Sequence, residues 1–161
     1  MKKKIAILGS TGSIGKSLLD IVKNDKKNFE ILLLTGHKNL RSLLNQVKIF
    51  DVKNIIITDQ DNYFKAKKIL KKKKINIYNN FEKLDNIFKN KKIDYVMSSI
   101  TGLSGLRPTV NIIKFCKIIA IANKESIICA WDLIKEELKK NNTQFIPVDS
   151  EHFSIWSLLS N

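Results

Sequence analysis

The 161-residue chain is 43% hydrophobic with a mean hydropathy of −0.14, enough for one domain core and too short for two domains of ordinary size. No apolar run approaches the roughly 20 residues that span a bilayer, and the lysine-rich start, Met1-Lys2-Lys3-Lys4, leads into a glycine-punctuated turn instead of a secretory apolar region. The net charge of +14 suits nucleic acid or an anionic surface, but every basic residue except Arg41 and Arg107 is lysine and comes with abundant Asn and Ile, as A/T-rich codons dictate, so neither nucleic acid nor membrane is expected as a partner.

The pattern alternates strand and helix. Ile5–Leu8 is a short apolar run of the buried-parallel-strand kind, and Ser13–Val22 places Ile14, Leu18, Leu19, Ile21 and Val22 at helical spacing. A second strand spans Phe29–Thr35 and a helix Leu40–Phe50. A third strand spans Asn54–Thr58 and a helix Tyr63–Leu70. A short strand is read at Ile75–Tyr78, a helix at Phe81–Phe88 and a strong strand at Ile93–Met97. Gly102 and Gly105 mark a turn, and Pro108 fits the first turn of a helix reaching Phe115. Lys117–Ala122 is the next strand. A long helix, Glu125–Lys140, follows, apolar at Ile127, Ile128, Trp131, Leu133, Ile134 and Leu138. Gln144–Val148 is the last strand, and Asp149-Ser150-Glu151 opens a helical segment from His152 to Leu159. Strands separated by helices make an α/β, Rossmann-like, doubly wound and mainly parallel sheet. Residues 1–148 form this domain, and 149–161 begin another. The apolar face of Ile155, Trp156, Leu158 and Leu159 calls for cover from a further domain or subunit. Cys116 and Cys129 lie in apolar contexts without metal-ligand spacing and read as reduced core thiols of a cytoplasmic protein.

Gly9-Ser10-Thr11-Gly12-Ser13-Ile14-Gly15 lies between the first strand and the first helix. Its spacing is GxxGxxG, not the commoner GxGxxG. Glycine permits the tight turn and a close backbone approach, and the helix N-terminus offers free N–H groups to a pyrophosphate. A plain turn with glycines used for geometry is the competing reading, but the flanking strand and amphipathic helix favour a dinucleotide site. The second strand ends Thr35-Gly36-His37-Lys38-Asn39, without the acid that binds the ribose 2′-hydroxyl of NAD. Lys38, with His37, suits a 2′-phosphate, which selects NADPH.

Ala122-Asn123-Lys124-Glu125-Ser126 and Asp149-Ser150-Glu151-His152 both follow strands, where ligands bind in open α/β sheets. Asp149 and Glu151 project to one side in extended geometry, and paired carboxylates suit Mg²⁺ or Mn²⁺. They also suit helix capping, Asp149 or Ser150 as the cap and Glu151 in the first turn, and spacing alone favours capping.

GSTGSIG, NKES and PVDSEH in this order resemble the 1-deoxy-D-xylulose 5-phosphate reductoisomerase family, over essentially the whole chain and the N-terminal part of the family's length. The resemblance implies NADPH-dependent rearrangement and reduction of a phosphorylated sugar, 1-deoxy-D-xylulose 5-phosphate, to 2-C-methyl-D-erythritol 4-phosphate in bacterial isoprenoid synthesis. A divalent cation (Mg, Mn or Co) would serve as Lewis acid. It implies that Thr11, Gly12, Ser13 and Ile14 bind NADPH, that His37-Lys38-Asn39 contact its 2′-phosphate and adenosine, and that Asn123 and Glu125 add further contacts. Lys124 and Ser150 are implied as substrate-binding residues, Asp149 and Glu151 as two of three carboxylate metal ligands, and Lys124, Asp149 and Glu151 as the catalytic set. Gly102 and Gly105 match a turn at the edge of the cofactor site.

Three positions depart from the family. His37 stands where a small residue is usual, and Phe153 and Trp156 differ from the usual residues after the SEH triplet. The third metal carboxylate, the phosphate pocket and the C-terminal helical domain are expected beyond Asn161, in a protein that is a homodimer at full length. The isolated chain is therefore expected to bind NADPH weakly and not to turn over substrate. A homoserine or semialdehyde dehydrogenase-like domain shares the glycine turn but leaves NKES and PVDSEH unexplained. A basic nucleic-acid-binding module and a non-functional fragment of the enzyme are the remaining alternatives.

Overall fold

All the strands expected from apolar runs are present in the computed structural model, which describes residues 1–89, 92–148 and 150–159, with the side chains of Ser150, Glu151, His152 and Trp156 excluded. They are β1 (Lys3–Leu8), β2 (Phe29–Gly36), β3 (Asn54–Ile57), β4 (Asn76–Tyr78), β5 (Ile93–Ser98), β6 (Cys116–Ile121) and β7 (Gln144–Pro147). Between and after them run α1 (Ser13–Asn24), α2 (Leu40–Phe50), α3 (Gln60–Ile69), α4 (Leu84–Phe88), α5 (Leu106–Ile113), α6 (Lys124–Asn141) and α7 (Ser150–Leu159), with short 3₁₀ turns at Phe81–Lys83 and Leu103–Gly105. The strands form one sheet in the order β4-β3-β2-β1-β5-β6-β7, and each pairing is parallel.

Successive residues of a strand face opposite sides of its sheet. Ile5 and Ile7 therefore enter one core, while Ala6 and Leu8 enter the other. The first core takes Leu19 and Val22 of α1, Leu43 and Val47 of α2 and Ala66 of α3. The second takes Leu84 and Phe88 of α4, Ile112 and Ile113 of α5, and Ile127, Ile134 and Leu138 of α6. Helices on both faces make the sheet doubly wound. Strand order reverses at β1, which lies between β2 and β5, and the carboxyl side of such a reversal is where ligands enter open α/β sheets.

Four expectations change. Helix α3 begins at Gln60, not Tyr63, because the Asp59 side chain accepts from the Asn62 backbone N–H (3.0 Å) and caps it. The expected helix over residues 81–88 divides into a 3₁₀ turn and the five-residue α4. Along α6 the backbone leaves helical geometry at Ala130 (φ −143°, ψ 30°), so no single apolar stripe runs through it: Ile128, Trp131 and Leu133 are exposed. Cys129, on that exposed side, is not a core thiol, whereas Cys116 is buried. Ile155, Leu158 and Leu159 of α7 are exposed.

Candidate dinucleotide-binding site

Strand β1 delivers the chain into Gly9, whose φ of +82° belongs to the left-handed region. A β-carbon there would stand 2.7 Å from the Ser99 carbonyl oxygen, so the segment just after β5 closes directly against the turn. The Gly9 N–H donates to Thr35 Oγ1 (2.8 Å), and the Ser10 N–H donates to the Thr35 carbonyl (2.9 Å). Ser10 is wholly buried. Its hydroxyl donates toward Gln46 Oε1 (2.8 Å) and the Thr35 carbonyl (3.1 Å), while Gln46 Nε2 donates to the Ser10 carbonyl (2.8 Å).

Gly12 then caps α1 in extended geometry (φ −76°, ψ 174°) with no side-chain hydrogen bond. The first-turn N–H groups of a helix have no intrahelical acceptor, and together with the helix dipole they attract an anion. A β-carbon at Gly12 would meet the protein only at the Gly9 carbonyl oxygen, 3.4 Å away. The chain's own packing therefore does not require glycine at Gly12, and the missing side chain leaves the helix end open. At Gly15 the requirement is internal: a β-carbon would stand 2.6 Å from both the Gly9 oxygen and the Ser10 Cα.

In front of this turn lies a cleft of about 710 Å³, bounded by Gly12, His37, Thr58, Phe81, Thr101 and Arg107, among others. Its open helix end, its mixed lining and its place at the strand-order reversal fit a dinucleotide. Thr11 and Gly12 line it directly, and Ser13 and Ile14 are the first residues of α1. His37 lines it too, while Lys38 and Asn39, the next two residues, are exposed but do not line it. His37 Nδ1 lies 3.0 Å from Thr58 Oγ1, and Asn62 Nδ2 donates to the Lys38 carbonyl (3.0 Å), so α3 steadies this loop. The Asn39 side chain caps α2 by accepting from the Ser42 N–H (3.1 Å).

Asn123, Lys124 and Glu125 follow β6 at the same edge of the sheet. Asn123 is 2% exposed and its side chain turns inward. Nδ2 donates to the carbonyls of Ile100 and Gly102 (2.8 Å to the latter), and Oδ1 accepts from the Ser126 N–H (2.6 Å), capping α6. Both amide hydrogens and the carbonyl oxygen are thus engaged within the protein, which fastens the turn after β5 to the start of α6. Lys124 and Glu125 are exposed in the first turn of α6.

Of the expected metal-site residues, Asp149 lies outside the described residues, as do the side chains of Ser150 and Glu151. Helix α7 begins at Ser150, so the extended geometry expected of residues 149–151 does not hold from there on. Among the described residues no three His, Cys, Asp or Glu side chains converge on a common point. No helix among them is long and apolar enough to cross a membrane.

The sequence pattern did not single out Thr35, Gln46, Asn62 or Arg107. A signal for Gln46 was present. Helical spacing puts it on the face of Leu43 and Val47, and a polar residue on an apolar face needs a partner.

A family model described as 1-deoxy-D-xylulose 5-phosphate reductoisomerase matches residues 5–131. The protein of that name from Pelagibacter ubique is 62% identical over 160 residues, covering 99% of this chain and 41% of the relative. The Zymomonas mobilis enzyme of that name, solved in complex with NADPH, superposes with a TM-score of 0.85 at 30% identity, covering 94% of this chain and 40% of the other. A DOX-P reductoisomerase solved with NADPH, fosmidomycin and magnesium gives 0.84 at 34% identity, covering 93% and 37%. The chain thus spans about 41% of the length of the curated relatives it matches.

Proposed function

Because the chain belongs to the 1-deoxy-D-xylulose 5-phosphate reductoisomerase family, we propose that it is the NADPH-binding part of an enzyme that rearranges and reduces 1-deoxy-D-xylulose 5-phosphate. The observation that carries this reading is the open, uncapped N-terminus of α1 at Gly12, facing the cleft. The pyrophosphate would lie against the N–H groups of Ser13 and Ile14 and the hydroxyl of Thr11. Lys38 and His37 would meet the 2′-phosphate, with Asn39 holding the start of α2 behind them. Asn123 would act by holding the turn after β5 in place, and Lys124 and Glu125 would face substrate and cofactor from the start of α6.

When bound, NADPH supplies the hydride and a divalent cation (Mg, Mn or Co) supplies the Lewis acid. Asp149 and Glu151 are the proposed metal ligands, on the sequence pattern DSEH and on the magnesium named with a related structure. Ser150 and Lys124 would orient the phosphorylated sugar, and the Lys124 charge would offset anionic oxygens there. In this reading residues 1–148 are the cofactor domain and 149–161 begin the catalytic domain. The full-length protein is a homodimer of the bacterial cytoplasm, with no nucleic-acid or membrane partner.

Titration of the chain with NADPH and with NADH, followed by nucleotide fluorescence, tests the reading. NADPH is expected to bind more tightly than NADH. Preference for NADH would overturn the 2′-phosphate assignment, and no binding of either would overturn the site.

A further inference from the structure

We infer that Gln46, on α2 and outside every motif, is a positioning residue that sets the conformation of the dinucleotide-binding turn. The inference rests on the NADPH reading above and extends it to a residue that never touches the cofactor. Gln46 is 7% exposed. Its amide grips a single residue twice, donating from Nε2 to the Ser10 carbonyl and accepting at Oε1 from the Ser10 hydroxyl, each at 2.8 Å. Ser10 lies between Gly9, which turns the chain out of the sheet, and the uncapped start of α1. The paired hydrogen bonds therefore fix the peptide just before the N–H groups that would receive the pyrophosphate.

The alternative anchor is incomplete. The Thr35 carbonyl takes the Ser10 N–H and shares its hydroxyl, but the Ser10 carbonyl has Gln46 as its partner. Buried polar groups left unpaired are costly, so without Gln46 the turn rotates Ser10 toward water in the cleft. The same helix is capped by Asn39, in the loop assigned to the 2′-phosphate. Residues 39 and 46 are separated by about 10 Å along the helix axis. One rigid element thus holds the pyrophosphate turn and the 2′-phosphate loop in register.

The test uses Gln46→Leu, Gln46→Glu and Ser10→Ala in the whole chain, with NADPH titrations at pH 6 and pH 8 and amide hydrogen exchange across residues 9–15 without ligand. Gln46→Leu is expected to weaken NADPH binding about tenfold and to speed exchange in the turn while the sheet amides stay protected. Gln46→Glu keeps the acceptor but sets a carboxylate against the Ser10 carbonyl and close to the pyrophosphate. Its affinity relative to the wild type at the same pH is expected to fall from pH 6 to pH 8, a change that simple loss of packing would not create. Should Gln46→Leu fail to fold, Ser10→Ala, which removes only the hydroxyl arm, is expected to show the same exchange and a smaller loss of affinity. NADPH binding within about twofold of wild type in Gln46→Leu and Gln46→Glu at both pH values would overturn the inference. If the wild type binds no NADPH, the functional reading fails, and exchange decides on Gln46 separately: an unchanged turn in Gln46→Leu overturns its positioning role too.

Discussion

Two glycines of the same turn separate what the fold needs from what the ligand needs. At Gly15 an alanine gains helix propensity, worth about 1 kcal/mol. Against that, its β-carbon would stand 2.6 Å from the Gly9 carbonyl oxygen and 2.6 Å from the Ser10 Cα. Both are backbone atoms, so no side-chain rotation relieves the contact, and the turn must shift. Overpacking of this kind costs about 1–3 kcal/mol at an ordinary core position and more against backbone. The clash wins, and Gly15→Ala is expected to destabilise the chain by about 1–2 kcal/mol, or about 2–8 °C in Tm. At Gly12 the backbone is extended, which any residue adopts, and the nearest atom to a new β-carbon is 3.4 Å away. Loss of a glycine N-cap costs about 0.5–1 kcal/mol. The added methyl projects over the open end of α1, however, where the proposed pyrophosphate would approach the N–H groups. Gly12→Ala is therefore expected to keep stability within about 1 kcal/mol and to lose NADPH affinity by about tenfold or more. Urea denaturation and NADPH fluorescence titration on the two variants give the comparison. Wild-type affinity in Gly12→Ala, or wild-type stability in Gly15→Ala, would refute the division of roles.

Asn123→Ala leaves the Ile100 and Gly102 carbonyls unpaired and α6 uncapped, and should lower stability by about 2–3 kcal/mol in urea denaturation. Asn123→Asp keeps the cap but sets its oxygens against those carbonyls; a loss under about 0.5 kcal/mol in either variant would contradict the fastening role. Burial pushes the Cys116 thiol up to about 12, whereas Cys129 is exposed, so a thiol reagent at neutral pH should modify Cys129 in the folded chain and Cys116 only in denaturant. Asp94 accepts from Lys117 Nζ (2.7 Å) and the Lys4 N–H (2.8 Å), which hold its carboxyl below the ordinary 3.8. The native state thus favours the charged form. Its contribution is complete above the unfolded pKa and disappears as pH falls through the lowered one, so the stability gap between wild type and Asp94→Asn should close on acidification below about pH 4.

The sheet was legible in the sequence because parallel strands buried on both faces leave continuous apolar runs, as in Ile5–Leu8 and Ile31–Leu34. The glycine turn was legible because its local demands are severe: at Gly9 and Gly15 only glycine fits, whatever lies beyond. Distant partners govern what was not legible. Asp59 caps α3 through one backbone N–H and read as loop, since the residues after it are polar. The break at Ala130 leaves no composition signal, and the helix turns Cys129 and Leu133 outward although their apolar neighbours suggested a core. Asn123 shows the same limit inside the site. The pattern NKES marks where it stands, but only the turn after β5, 23 and 21 residues earlier, shows that its amide is spent on Ile100 and Gly102. Gln46 goes further, because no motif includes it and its partner Ser10 lies 36 residues away. A motif records the groups nearest a ligand. The residues that hold those groups still are set by topology, here by α2 and α6 packing on opposite faces of one sheet, so they become visible only when that sheet is assembled.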